Sequence, residues 1–293
     1  MSLSRDRLLA IIEACLVTFL WSSSYVLVKI GLNQLSPLAL VTLRYITASV
    51  IVVPLALMRG GVGLLREPKN LLKFVFLGIS GYTIAQGLQC VGLFYLPAVS
   101  VTFILNFTPV VVLVLGVMFL REYPTLLQLG GMGLVLLGAY LFFNAPLSIG
   151  SLSGISITLL SGLGWATYLV SSRLLFVRVK MNPLDLTAFS MGFGTLFLSA
   201  AAYSIEGLSS VSLQAWAIII WLGVVNTAIA FFLWNRALVK LGAFEISILQ
   251  NTMLVQIAFL SWLFLGEHLT VLKLISMTLV FVGVLIVQIK GHT

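Results

Sequence analysis

Charge is what this chain has least of. Only 8% of its 293 residues are Asp, Glu, Lys or Arg, against roughly 25% in soluble domains. With 60% hydrophobic residues and a mean hydropathy of +1.16, the chain carries more apolar surface than a water-surrounded core buries, so its solvent is lipid. Histidine and acid are scarce too. His268 and His292 stand at the ends of apolar runs, and the aspartates are Asp6 and Asp185, with no HExxH and no paired intramembrane Asp. That leaves hydrolysis and acyl transfer without a catalytic constellation and argues against an enzyme. Cys15 and Cys90 fall in separate apolar runs without metal-type spacing, and read as packing residues. No metal site and no cofactor is expected.

The charges that exist are placed with a bias. A formal +8 would fit a nucleic-acid binder only if it formed a basic patch or stripe. Instead, with the N-terminus inside, Arg5, Arg7, Arg59, Arg66, Lys69, Lys73, Arg121, Arg173, Arg178, Lys180, Arg236, Lys240 and Lys290 all fall at inner span ends. Only Lys29, Arg44 and Lys273 fall toward the other side. This is the positive-inside pattern, and it predicts both termini in the cytoplasm and no nucleic-acid partner. The runs themselves predict about ten transmembrane helices: 8–29, 37–58, 72–94, 98–120, 125–143, 152–176, 183–205, 213–238, 243–265 and 270–289. The first follows Arg5 and Arg7 as a signal sequence would, but it lacks a small-residue cleavage site and is read as retained.

The spans form two copies of one unit. Laid over each other at a shift of about 145 positions, roughly 20 of about 65 residues agree between the stretches that begin at Phe76 and Trp221. Gly78 meets Gly223, Asn106 meets Asn251, Glu122 meets Glu267, Thr125 meets Thr270 and Gly138 meets Gly283. The starts match as well: Trp21 with Trp165, and Ser36-Pro37 with Asn182-Pro183, although Arg44 meets Ser190. Residues 1–143 and 152–293 are the expected repeats, and 144–151 the connection. Five helices per repeat is an odd number, so the second copy enters the membrane inverted. The expected fold is an all-α membrane protein of two inverted five-helix repeats around a central cavity.

Trp21-Ser22-Ser23-Ser24-Tyr25-Val26, Lys29, Gly31-Leu32, Ser36-Pro37 and Leu43-Arg44 resemble the opening of EamA-type members of the drug/metabolite transporter superfamily. So do Leu120, Glu122, Thr125, Gln128 and Gly131, repeated as Leu265-Gly266-Glu267, Thr270 and Lys273. The departures are Arg121, where the family usually has Gly, and Lys273 and Ser276, where the first copy has Gln128 and Gly131; they bear on packing between the fourth and fifth and the ninth and tenth helices. The resemblance implies a transporter of small metabolites. Amino-acid exporters are among such proteins, aromatic amino-acid exporters of the YddG type included, and the resemblance implies a bacterial inner membrane as the setting. A sugar-phosphate or nucleotide-sugar carrier is the alternative within the superfamily. It would need several cavity cations, and only Arg44 comes close. A channel would need a continuous pore, which the inverted halves do not require.

Polar groups inside lipid need partners or a wet cavity, which makes them the candidates for substrate contact. Tyr82, Gln86 and Gln89 share one face of the third span, as Thr227, Phe231 and Trp234 do in the eighth. Thr102 and Asn106 are one turn apart, and Ser247 and Asn251 repeat them, joined by Gln250. Trp21 and Trp165 lie at mid-depth, away from the interfacial belt. With Ser24 and Tyr168 these are the expected cavity residues, an uncharged set of rings and amides able to hold a zwitterion. The competing reading is that the amides bond helix to helix, and Tyr25, Tyr82 and Tyr168 fit core and cavity equally. Arg44 is read either as a carboxylate contact or as a brace for backbone carbonyls. Glu13 is read either as a proton carrier or as the partner of Arg5 or Arg7. Glu122 and Glu267, just before new helices, are expected to serve helix N-termini. Pro109 has no counterpart at Leu254, so the fourth and ninth spans need not bend alike.

Overall fold

A computed structural model describes residues 5–96, 98–142, 151–207, 211–265 and 270–289. The connecting stretch after Phe142, with Pro146 and Gly150, and Pro97, Glu267, His268, Lys290 and His292 lie outside the described residues, as does the side chain of Lys29.

Among the described residues the chain is helical, in ten rods: α1 (Arg5–Gly31), α2 (Pro37–Arg66), α3 (Pro68–Tyr95), α4 (Ser100–Leu120), α5 (Leu126–Phe142), α6 (Leu152–Arg178), α7 (Pro183–Ile205), α8 (Leu213–Lys240), α9 (Ala243–Leu260) and α10 (Val271–Ile289). All but α5 are long and apolar enough to cross a bilayer. Proline opens α2, α3 and α7, where its fixed φ suits the first turn and its missing N–H is not needed. Asn182, Ser151 and Ser212 cap their helices with side-chain oxygens, satisfying orphan N–H groups.

The two halves are interleaved. α1 packs on α8 and α9, while α6 packs on α3 and α4, so each repeat lends its first helix to the other. α2 pairs with α7 and α5 with α10 across the pseudo-two-fold axis. Glycine decides how closely the second pair approaches. A Cβ on Gly131 would sit 2.8 Å from the Gly283 carbonyl oxygen, and one on Gly138 2.8 Å from that of Ser276. These are backbone-to-backbone contacts, the small-residue packing on which membrane helices rely. Ser276 is accommodated because its hydroxyl turns back to the Leu272 carbonyl, 2.7 Å away. α5 and α10 contribute nothing to the central cavity and form an outer pair.

The fourth and ninth helices are interrupted at matching places, although Pro109 has no counterpart at Leu254. α4 breaks at Asn106-Phe107 and α9 at Asn251. Asn106 Nδ2 donates to the Thr102 carbonyl at 2.8 Å, and Asn251 Nδ2 donates to the Asn106 carbonyl at 3.2 Å. The Asn106 amide competes for a carbonyl of its own helix, whereas the Asn251 amide crosses to α4 and ties the two breaks together. Pro109 merely occupies the first turn of the second half of α4. α4 then ends at Arg121 in the left-handed region (φ 57, ψ 31), a conformation glycine takes without strain.

Candidate substrate-binding site

α3 and α8 each contain a run of wider π turns at matching places, Gly78–Gly87 and Val224–Ile229. Such turns recur at functional sites because they release backbone groups from the helical ladder. Here the Asn226 carbonyl accepts from Trp21 Nε1 at 3.1 Å and from Arg44 Nη2 at 3.0 Å. Arg44 Nε donates to Thr227 Oγ1, whose own hydroxyl reaches the Leu222 carbonyl. Asn226 Nδ2 donates to the Leu20 carbonyl and ties α8 to α1.

Arg44 is thus fixed on one edge and has work for the other. It is 8% exposed, forms no ion pair with a described carboxylate, and lines both parts of a central cavity. The part nearer the middle, about 40 Å³, is bounded by Trp21, Ser24, Tyr25, Arg44, Gln86, Gln89, Gln250 and Met253. The other, about 30 Å³, shares Ser24, Tyr25, Arg44, Gln86 and Gln89 and runs on between Val28, Leu40, Val41, Cys90 and Leu93. Gln89 Nε2 donates to Tyr25 Oη at 2.9 Å, and Gln250 Oε1 accepts from Trp165 Nε1 at 2.7 Å. These volumes hold water rather than a metabolite, so the conformation is a closed one.

Under the cavity lies a layer of rings from α1, α2, α3, α6 and α8. Trp21 is 4.8 Å from Trp234 and 5.4 Å from Phe231, centroid to centroid; Trp165 stacks on Tyr168 at 5.3 Å, and Tyr82 contacts Tyr45, Tyr168 and Phe231. Tilted and edge contacts of this kind are the favoured aromatic geometries. The layer separates the cavity from the face that carries the N-terminus.

That face is sealed by ion pairs. Arg236 holds Glu13 through two hydrogen bonds, Arg7 meets Glu245 at 3.0 Å, Arg173 meets Glu122 at 3.0 Å, and Lys240 meets Asp6 at 3.3 Å. Among the described residues all four pairs are at this basic end. Arg173 Nη1 also donates to the Leu238 and Val239 carbonyls, and Glu122 accepts from Ala243 N–H. Two surface hollows of about 400 Å³ run between these pairs. At the opposite face Glu206 instead accepts from Ser36 and from the Leu38 and Ala39 N–H groups at the start of α2.

Trp21, Ser24, Gln86, Gln89 and Gln250 line the cavity. Tyr82, Trp165, Tyr168 and Trp234 belong to the ring layer beneath. Thr102, Asn106, Ser247 and Asn251 are not brought to the wall. Ser247 turns back to the Phe244 carbonyl, and the two asparagines stand at the helix breaks. Three further expectations are corrected. Glu13 pairs with Arg236, across the α1–α8 contact, rather than with Arg5 or Arg7. Glu122 serves the N-terminus of α9 rather than of α5, because the interleaving brings α9 to it. The cavity is not uncharged, since Arg44 both braces the Asn226 carbonyl and faces the space. Asn226 and Asn235 were not singled out from the sequence. Their repeat mates are Gly81 and Cys90, so a search for polar residues kept in both copies passes over them; amides inside an apolar span were the available signal.

Ten interleaved helices around a small polar chamber, closed at one face, define a membrane transport protein. The EamA-like transporter family model matches the chain twice, over residues 8–144 and 152–289, and the chain belongs to that family. An uncharacterized transporter of Archaeoglobus fulgidus is 26% identical over 96% of this chain and 98% of its own. A probable amino-acid metabolite efflux pump of Salmonella typhimurium is 24% identical over 93% and 92%. A solved crystal structure at 17% identity superposes with a TM-score of 0.78 over 95% of this chain and 96% of that one, which shows the shared fold.

Proposed function

We propose that the protein is a secondary transporter that exports amino acids, aromatic or broad in range, by alternating access across a bacterial cytoplasmic membrane. The observation that carries this is Arg44: a buried guanidinium, anchored by Nε and one Nη2 bond, with Nη1 making no hydrogen bond to a described residue. A carboxylate is the group this edge pairs with best. Gln86, Gln89 and Gln250 supply neutral donors and acceptors for an ammonium, and the ring layer supplies an apolar surface for a side chain. One cation suits a monoanionic head. A sugar phosphate or nucleotide sugar would need more, and among the described residues Arg44 is the one cation lining the cavity. Export agrees with the name of the Salmonella relative. The distribution of Lys and Arg supports a cytoplasmic location for the basic face and both termini.

The test is transport by the purified protein in liposomes, with labelled phenylalanine, leucine, aspartate and lysine offered at matched pH. Counterflow of phenylalanine or leucine is the expected result. Exchange of sugar phosphates with no amino acid carried would retire the reading.

A further inference from the structure

Of the two hollows on the basic face, the one between the basic ends of α1, α6, α7 and α8 has the build of a binding site. Its volume is about 410 Å³, within the range of about 300–1,000 Å³ typical of small-molecule pockets. Buried Phe176 and Met181, with Leu9, Pro183 and Val239, give it an apolar lining, and five charged side chains stand around it. Glu13 is engaged by Arg236 through two hydrogen bonds. Asp6 and Lys240 meet at 3.3 Å with side chains 71% and 52% exposed, an open pair that contributes little and exchanges readily. Lys180 is left over. It is exposed, pairs with no described carboxylate, and stands at φ 53, in the left-handed region. Strain of that kind in a side chain at a cavity points to a function for the residue.

The hollow also lies one helical turn from a buried polar cluster. Phe176 follows Ser172, Val239 follows Asn235 and Thr187 follows Pro183, each by four residues, so each pair shares a helix face. Thr187 Oγ1 donates to the Pro183 carbonyl at 2.7 Å, and Asn235 Nδ2 donates to Thr187 Oγ1 at 2.8 Å and to Tyr168 Oη at 2.7 Å. Ser172, Thr187 and Asn235 are 0% exposed, and Asn235 Oδ1 is buried without a hydrogen-bond partner among the described residues. A polar line therefore joins the hollow to the ring layer under the Arg44 cavity.

We infer that this hollow is a peripheral binding site for an amino-acid zwitterion with an apolar side chain, occupied while the Arg44 cavity is shut. Lys180 takes the carboxylate, Asp6 takes the ammonium in place of Lys240, and the side chain lies against Phe176 and Met181. Charges of both signs beside one apolar wall suit a dipolar ion, whereas a polyanion meets the like charges of Asp6 and Glu13. The nature of the ligand rests on the amino-acid reading; the separation of the hollow from Arg44 does not.

Leu9 lines the hollow and is 48% exposed, so a thiol there reports occupancy. Full-length protein carrying Cys15→Ala, Cys90→Ala and Leu9→Cys, in phosphatidylcholine nanodiscs, is labelled with a membrane-impermeant maleimide. Saturating phenylalanine should slow labelling about threefold or more, and should do so equally once Arg44→Gln is added. Lys180→Gln should raise the concentration for half protection about two- to fivefold, the span of an exposed charge pair. Phenethylamine, which lacks the carboxylate, should need a similar increase. Protection that disappears with Arg44→Gln would place the effect in the cavity and overturn the peripheral site. So would protection that Lys180→Gln leaves unchanged, or that phosphatidylglycerol in the nanodisc gives and phenylalanine does not. Phenylalanine that is transported yet leaves Leu9→Cys labelling unaltered removes the hollow alone. Phenylalanine that protects the thiol in a protein carrying no amino acid supports the hollow and counts against the transport reading, so the two failures are separable.

Discussion

Four alanine substitutions on α5 should split by face. A Cβ on Gly131 would meet the Gly283 carbonyl oxygen at 2.8 Å, Val287 Cγ2 at 2.9 Å and Ile286 Cγ2 at 3.1 Å, and one on Gly138 the Ser276 oxygen and Val280 Cγ2, both at 2.8 Å. A backbone oxygen cannot swing away, so α10 must shift, and overpacking of this kind costs about 1–3 kcal/mol. Against it stands a gain of about 1 kcal/mol for replacing a mid-helix glycine by alanine. The net for Gly131→Ala and Gly138→Ala is a loss of about 0–2 kcal/mol. Gly130 and Gly133 have nothing within 4 Å of the added atom, so Gly130→Ala and Gly133→Ala keep the gain alone, up to about 1 kcal/mol. Unfolding of each variant in the same detergent, followed by tryptophan fluorescence during thermal or denaturant titration, measures the difference. Because α5 and α10 stand outside the cavity, transport per folded molecule should change little in all four. Equal shifts for Gly130→Ala and Gly131→Ala would refute the close helix pair.

Arg44→Gln should raise the KM for a carboxylate-bearing substrate about ten- to hundredfold, the loss of a charged hydrogen bond of 1.5–3 kcal/mol. Arg44→Lys should recover only part, since one ammonium cannot both hold the Asn226 carbonyl and meet the substrate; both are read in initial-rate transport. Arg121→Gly should stabilise the protein by about 1 kcal/mol, because the left-handed turn penalises a side chain by roughly that amount, and the thermal midpoint reports it. A double-mutant cycle on Glu122→Gln and Arg173→Gln should give a coupling of about 1–2 kcal/mol in unfolding free energy, the pair being largely shielded from water with each side chain 16% exposed; a coupling near zero would remove this pair from the seal.

The amides show why a site is harder to read from sequence than a fold. Gln86 and Asn106 look alike as amides inside apolar runs, and period alone assigns each a face. Gln86 faces the space beside Arg44, whereas Asn106 turns its Nδ2 to its own backbone and breaks α4. The difference is whether the next helix stands in front of the amide, which local spacing does not encode. Arg44 was legible as an intramembrane cation. That it points one edge at the Asn226 carbonyl and the other into the cavity depends on a π turn nearly two hundred residues away in sequence.

The chain alone determined its solvent, its ten spans and its duplication, because scarcity of charge, run length and repeated Asn, Glu and Gly positions are properties of linear order. An odd number of crossings per repeat then required inversion. Tertiary structure decided that α1 and α6 change places between the halves and which partners Glu13 and Glu122 find. Those outcomes depend on which helices meet and how closely, and in lipid that is decided by side-chain volume and hydrogen bonding across the contact rather than by the apolar pattern that made each helix.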